Sequence, residues 1–495
     1  MIDITNNFIV INKNDKLYNT VEKFFIKIDK GRIIKLYDYD KNNNIVILRG
    51  LLDLLNFEND RCSFNEIRTL NFKPDISLSA YEDLIDGYTL RKDQCIAIRK
   101  VMIRKRGLIQ YPTGTGKTFI LAGILKYLYR KLGYYPTTII LEPTVRLIQD
   151  NCKRLNDYGI PVVKYDKVRN NVEGKVIITH PQSLCNDLEK DNTILNSVKV
   201  FIGDEWHHGS ADTWKSIFIN MPTVEMSIGV SATLFMEDRL PITSVNSLSF
   251  EEISVIGCTG NILANIPLSY FQKLGILAKS NLIHFNNKEK IEISDITDWH
   301  NVRELALESD IRSELIASVA NVLKSKNLRT IIVTSTKRHA CKIIKYLGNR
   351  DDILVSFGMN KYYIPENDNL KELKLTTDER LGILDSSKYK IIIGTTHLME
   401  GADIKFLDAV ILGSVGKKFV KPIQSIGRVL RTSKNSKSGD AFLIDFLDIE
   451  NSLLSKHSDE RFGVFKAVLK LIEKENYFQV SDIKDFENVI DKLEK

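Results

Sequence analysis

The sequence predicts an α/β protein with two tandem parallel sheets flanked by helices and a small α+β module in front of them. Three observations carry this. Short runs that are apolar throughout recur along two long stretches, as strands covered on both faces require. Segments of helical periodicity lie between them, the alternation that builds a parallel sheet. The length, 495 residues, suits about three domains at roughly 100–200 residues each.

Residues 1–80 read as the small module. FFIKI (24–28), RIIKLYDY (32–39) and NIVILRG (44–50) are strand-like, with turns at DKG (29–31) and DKNNN (40–44), and LLDLLNF (51–57) suits the start of a helix. The first sheet domain spans 81–265. Its strands are GLIQY (107–111), TIILE (138–142), KVIIT (175–179), KVFIGDE (199–205) and SIGVSAT (227–233), with a helix at KTFILAGILKYLYRK (117–131). The second spans 266–450, with strands at TIIVTST (330–336), DILVSFG (352–358), KIIIGTT (390–396), AVILGS (409–414) and AFLIDF (441–446). Ile311, Leu315, Val319 and Leu323 fall on one helical face, and Ala340, Ile343, Ile344 and Leu347 on another. Residues 451–495 read as a helical extension.

Composition excludes several classes. A hydrophobic fraction of 43% with 27% charged residues is that of a folded globular chain rather than a disordered one. The net charge of +7 is compatible with a polyanionic partner without specifying one. Six cysteines lie far apart without metal-ligand spacing, so free thiols in a reducing compartment are expected. The start MIDITNNFIV lacks the basic-then-apolar order of a signal peptide, and no apolar run approaches the roughly 20 residues of a membrane span. A cytoplasmic, soluble protein without a membrane partner is the expectation.

Two segments carry phosphate chemistry. PTGTGKT (112–118) sits between a strand and a helix. Glycines allow backbone N–H groups to wrap phosphate oxygens, and the helix N-terminus adds its positive dipole end. Pro112, Thr113, Gly114, Thr115 and Gly116 form the loop, Lys117 reaches the β- and γ-phosphates, and Thr118 holds Mg²⁺. The strict GxxxxGK[ST] pattern wants glycine at 111, where this chain has Tyr111. KVFIGDEWHH then places Asp204 and Glu205 at a strand's carboxyl end, where an open α/β sheet binds ligands. Asp204 can support the metal, and Glu205 can orient and deprotonate a water.

A third segment, QSIGRVLR (424–431), offers Gln424, Arg428 and Arg431. The arginines are three apart, on one face of a helix. Arginine from a second domain reaches a γ-phosphate only on closure, which would couple hydrolysis to movement.

Together PTGTGKT, DEWH (204–207), SAT (231–233), EGADI (400–404) and QSIGRVLR resemble motifs I, II, III, V and VI of the superfamily 2 helicases, in that family's order. The resemblance covers about residues 85–450 and implies two RecA-like domains, ATP and Mg²⁺ as cofactors, and nucleic acid as partner. It assigns adenine contact to Gln94 in LRKDQ (90–94), nucleotide contacts to Gly401 and Asp403, water placement to Gln424, and coupling of nucleotide state to grip to His207, Ser231 and Thr233. PTVRLIQ (143–149) and THPQSL (179–184) resemble the segments that touch the nucleic-acid backbone, although Gln149 stands one residue early and receives no role. The D-E-x-H order, SYFQKLGILAKS (269–280) and VKPIQSIGRVLRTSKNSKSGDAFLIDF (420–446) are most similar to the phage UvsW-type DNA helicases. That branch implies a monomeric, phage-like motor that remodels forks, Holliday junctions and R-loops in recombination, repair or replication.

Backbone contacts are expected from Thr144, Arg146, Thr179, Thr334, Lys337, Arg338, Thr395, Thr396, Lys417, Lys418 and Lys421, which offer hydroxyls and cations without reading bases. Trp206 and Trp214 either stack on a base or pack at the sheet end. The N-terminal module either grips DNA or caps the fold. Three other readings compete: an RNA-dependent ATPase, the motor subunit of a restriction or defence complex, and a P-loop ATPase acting on protein.

Overall fold

The computed structural model describes the chain except for residues 1, 16–17, 25, 30–31, 36, 55–61, 65–67, 170, 192, 233, 235–247, 288, 291–298, 349–350, 358–360, 367–368, 396–397, 399–403, 405–406, 417–438, 470–472, 474 and 495. It divides into two compact units. One holds residues 1–111 and 116–266, and the other holds 267–495 together with 112–115.

The first unit is built on a seven-stranded sheet. Its order is Val162–Lys164, Val176–Thr179, Thr138–Leu141, Val200–Asp204, Met226–Ser231, Arg106–Gln110, Ile262–Asn265, and every pairing is parallel. Thr138–Leu141, Val176–Thr179, Val200–Asp204 and Met226–Ser231 are buried at every position. That burial is why they read as unbroken apolar runs. Helix Lys117–Leu132 follows the phosphate-loop segment and ends at Gly133, whose φ of 80° stops the helix. Helix Val145–Asp157 begins at Thr144, whose hydroxyl accepts from the Leu147 N–H at 3.3 Å.

The N-terminal module belongs to this unit. Its five-stranded sheet runs Asp38–Tyr39, Ile45–Leu48, Phe8–Ile11, Ile2–Ile4, Cys62–Phe64, with a separate hairpin of Ile26–Asp29 and Arg32–Lys35. Asn6 and Asn7 donate side-chain N–H groups to the Val224 and Met221 carbonyls at 3.0 and 2.9 Å. A Cβ on Gly50 would strike the backbone of helix Phe250–Thr259, so glycine sets that contact. Three expectations shift here. Strands Ile2–Ile4 and Phe8–Ile11 exist that the pattern did not mark, RIIKLYDY splits into two short strands, and Arg49–Leu54 is a 3₁₀ turn rather than an α-helix.

The second unit has a nine-stranded sheet in the order Asn369–Glu372, Tyr362–Glu366, Ile353–Ser356, Ile391–Thr395, Thr330–Thr334, Ala409–Leu412, Ala441–Asp448, Ser280–Asn287, Tyr477–Val480. It is parallel except for the antiparallel hairpin at the Asn369–Glu372 edge. Residues 451–495 are not helical throughout, because Tyr477–Val480 pairs with Ser280–Asn287 and extends the sheet. Ala340, Ile343, Ile344 and Leu347 are buried together as expected, but helix Asp310–Ser325 buries Ile316, Val319, Ala320 and Leu323 and leaves Ile311 62% exposed. Both units are α/β with parallel sheets, the tandem RecA-like class. Among the described residues no helix is long and apolar enough to cross a membrane. Cys95, Cys152, Cys185, Cys258 and Cys341 are free thiols.

Candidate nucleotide site at the carboxyl end of the first sheet

Four neighbouring strands end at the same edge, and each delivers a polar residue there. Thr138–Leu141 leads into Glu142, Val200–Asp204 ends on Asp204, Met226–Ser231 ends on Ser231, and Arg106–Gln110 leads into the glycine loop. Gly114 and Gly116 take φ of 83° and 93°, in the left-handed region that favours glycine. A Cβ on Gly116 would lie 2.6 Å from Gln94 Nε2. Gln94 therefore lies against the loop. Its Nε2 donates to the Gly116 carbonyl at 3.3 Å, while its Oε1 accepts from the Arg91 N–H at 3.0 Å.

The buried Lys117 ammonium donates to Glu205 Oε1 at 3.3 Å. Ser231 Oγ donates to Glu205 Oε2 at 3.4 Å, and His207 Nδ1 lies 2.9 Å from that same hydroxyl. Glu205 is held at φ 46° and ψ 48°, a left-handed backbone rare outside glycine, with its N–H donating to Asp204 Oδ1 at 2.9 Å. Strain of this kind collects at functional positions, where surrounding structure over-determines it. Lys117, Asp204, Glu205, Ser231 and His207, singled out in sequence, are thus brought together.

The sequence reading missed two members. Asn151 Nδ2 donates to Glu142 Oε1 at 2.7 Å and to Asp204 Oδ2 at 3.4 Å, and its Oδ1 accepts from the Thr118 hydroxyl at 3.3 Å. Glu142 is fully buried, and its Oε2 has no hydrogen-bond partner among the described residues. Burial pushes the Glu142 carboxyl well above the usual range, and the charge of Asp204 beside it pushes the same way. The signal was present, since TIILE closes an apolar strand with an acid as VFIGDE does.

This donor set fits a nucleoside triphosphate with Mg²⁺. The loop glycines and helix N-terminus suit phosphate, and Lys117 suits the terminal phosphates. Among the described residues no three His, Cys, Asp or Glu side chains gather into a metal cage. Mg²⁺ would need none, since it ordinarily takes one or two protein oxygens and keeps water and phosphate for the rest, and the Asp204 carboxylate and Thr118 hydroxyl would suffice.

Other predicted positions part company with the site. Trp206 is fully buried, its Nε1 donates to the Val255 carbonyl at 3.2 Å, and a Cβ on Gly203, Gly209 or Gly229 would collide with its indole. It packs the sheet end and cannot stack on a base. Thr179 and Thr334 are buried, with hydroxyls donating to the His180 and Gly394 carbonyls, so neither offers its side chain to a nucleic-acid backbone. Thr144 is occupied as a helix cap, and Arg146 lies near Asp150 at 3.9 Å. Lys337 begins helix Lys337–Leu347 and lies over the Phe357 ring at 5.7 Å. Arg338, 79% exposed, pairs with Glu308 at 2.6 Å. Thr395 closes strand Ile391–Thr395. Thr233, Thr396, Gly401, Asp403, Lys417, Lys418, Gln424, Arg428 and Arg431 lie outside the described residues.

Known proteins resemble this chain over most of its length. Residues 87–236 match the ResIII family, the type III restriction enzyme res subunit. A helicase 22 of a Sulfolobus islandicus filamentous virus is 24% identical over 90% of this chain and 79% of its own length. The DNA 3′-5′ translocase XPB2 of Sulfurisphaera tokodaii is 24% identical over 73% of this chain and 82% of its own. Among solved structures, a type I restriction HsdR fragment from Vibrio vulnificus is 19% identical, covering 81% of this chain and 70% of that one, with a TM-score of 0.55. T4 UvsW, 18% identical, covers 97% and 99% of the two chains with a TM-score of 0.41, too low to bear weight. The family match covers residues 87–236 and these relatives are 24% identical, so the chain is similar to ATP-dependent helicases and translocases in sequence and to tandem RecA-like proteins in fold.

Proposed function

We propose that the protein is an ATP-driven DNA helicase or translocase that unwinds or migrates branched DNA such as forks, Holliday junctions and R-loops. The observation that carries the ATPase half is the assembly of Lys117, Asp204 and Glu205 at the loop and strand ends, with Lys117 3.3 Å from Glu205. The XPB2 relative, a DNA translocase by name, supports DNA over RNA.

In this reading the loop from Pro112 to Gly116 wraps the phosphates and Gln94 contacts adenine. Lys117 turns from Glu205 to the β- and γ-phosphates. Thr118 and Asp204 hold Mg²⁺, which when bound neutralises charge developing on the phosphate oxygens. Glu205 then orients and deprotonates the attacking water, while Ser231 and His207 fix its second oxygen. Gln424 helps to place the water, and Arg428 and Arg431 supply positive charge to the transition state. Gly401 and Asp403 border the nucleotide, and Thr233 relays its state to the nucleic-acid grip. Thr144, Arg146, Lys337, Arg338, Thr395, Thr396, Lys417 and Lys418 contact the backbone through side chains or neighbouring amides. The active form is a monomer.

The test is the steady-state ATPase rate alone and with single-stranded, duplex, forked and four-way DNA and with RNA. Strongest stimulation by forked or four-way DNA is expected. Strongest stimulation by RNA would move the motor to RNA substrates. A second reading, the motor subunit of a restriction complex, is favoured by the ResIII match. It predicts stable copurification with a nuclease and little stimulation of the isolated chain.

A further inference from the structure

Asn151 lies outside every segment that resembles a motif, yet it stands in the nucleotide site. It sits in helix Val145–Asp157 on the face that buries Ile148 and Leu155, spaced three and four residues from them. Two apolar neighbours would suit a third apolar residue. The chain instead places a carboxamide there and leaves it only 4% exposed.

Three hydrogen bonds fix which way the amide faces. Strands Thr138–Leu141 and Val200–Asp204 pair in parallel with Leu141 beside Gly203, so Glu142 and Asp204 leave the sheet as neighbours. Two acids side by side repel. Asn151 Nδ2 carries two N–H groups, and it gives one to Glu142 Oε1 at 2.7 Å and one to Asp204 Oδ2 at 3.4 Å. The reverse orientation would aim a carbonyl oxygen at both carboxylates. Oδ1 therefore faces Thr118, and because it can only accept, the Thr118 hydroxyl at 3.3 Å must donate.

A hydroxyl that gives its proton away in this manner keeps its lone pairs for a cation. Asp204 is oriented at both oxygens, with Oδ1 accepting from the Glu205 N–H at 2.9 Å and Oδ2 from Asn151. One amide thus orients both groups that suit Mg²⁺, and Glu142 orients the amide. Packing alone would account for the bond to Glu142, whose burial calls for a partner. It does not account for the same amide meeting Thr118 and Asp204, which come from another helix and another strand.

We infer that Asn151 is a positioning residue that presets Thr118 and Asp204 for the Mg²⁺ accompanying the nucleotide, with Glu142 holding Asn151 in turn. The role rests on the proposed function. Groups that never touch a metal ion commonly fix those that do.

The test uses the full chain with Asn151→Leu and Asn151→Ala, and Ile148→Ala as a control that loosens the same helix face without touching the amide. Thermal unfolding checks that each is folded. Affinity for a non-hydrolysable ATP analogue is measured with Mg²⁺ in excess and with EDTA, and Mn²⁺ binding to the chain with its analogue is followed by electron paramagnetic resonance. Both Asn151 variants should lose little affinity for the metal-free analogue. They should lose roughly tenfold of the gain that Mg²⁺ gives and bind Mn²⁺ roughly tenfold more weakly. Ile148→Ala should lower the melting temperature and keep the gain. Asn151 variants that weaken equally with and without metal, or that keep the full gain, would overturn the role. So would an equal loss of the gain in Ile148→Ala, since helix packing would then suffice. A wild-type chain that binds no analogue, or gains nothing from Mg²⁺, would break the proposed function instead.

Discussion

Both units bury charge in a parallel sheet, and they do so differently. In the second unit the charges compensate one another inside the fold. Arg461 Nε pairs with Asp445 at 3.1 Å and its Nη2 donates to the Phe446 carbonyl at 3.0 Å, while Arg312 pairs with Asp448 at 2.6 Å. Burial raises the Asp445 carboxyl, but Arg461 and His284 beside it outweigh burial and bring it from 3.8 to about 2. In the first unit the charges collect at the strand ends and are compensated only in part. Lys117 reaches Glu205 at 3.3 Å, and Glu142 is pushed the other way, towards protonation. Compensated burial of the first kind serves the fold. Partial compensation at a strand end, beside a glycine loop, leaves capacity for a ligand that brings its own charge.

The contrast can be broken most severely at Lys117. Lys117→Ala should reduce ATP turnover by a factor on the order of 10³ or more, since a phosphate-directed cation is lost from a buried site, while thermal unfolding changes little. Retained turnover would remove the lysine from the site.

The second unit should show the reverse pattern. Arg461→Met leaves Asp445 buried without its partner and should cost about 3–5 kcal/mol of stability in that unit, read from its calorimetric transition. The sign with pH follows from the depressed carboxyl. In the wild type this stabilisation is complete above the ordinary carboxylate pKa near 3.8 and is lost as pH falls through about 2. The gap between variant and wild type should therefore narrow over that window, and a pH-independent gap would contradict it.

How much of this was legible in sequence depended on distance along the chain. PTGTGKT, Asp204 and Glu205 could be read because each sits at a strand-to-loop junction whose local pattern is its own signature. Glu142 carried the same strand-end signal without a motif around it to set it apart from an ordinary solvated acid, and only the fold sets Asn151 and Asp204 beside it. Ile311 was given to the core by periodicity, yet it stands in the first turn of its helix, outside the packed face. Cys62–Phe64 was invisible as a strand because its partner is Ile2–Ile4, far back in the chain.

A smaller effect sharpens the comparison at Glu142. Because burial raises its pKa, ionised Glu142 opposes folding as pH rises above the ordinary carboxylate range. Glu142→Gln keeps an acceptor for Asn151 and removes that burden. The melting temperature at neutral pH should rise by about 2–4 °C, as for roughly 1 kcal/mol in a unit this size. The gain should disappear once pH falls below that range, and an equal gain at every pH would place its cause elsewhere.

In the proposed function the carboxyl end of the first sheet hydrolyses ATP, and Glu205 acts on the water rather than on binding. Single-turnover ATP hydrolysis by Glu205→Gln, measured beside its equilibrium ATP affinity, addresses it directly. ATP should bind with near wild-type affinity while hydrolysis slows by roughly 10²–10⁴-fold. Hydrolysis at the wild-type rate would contradict it.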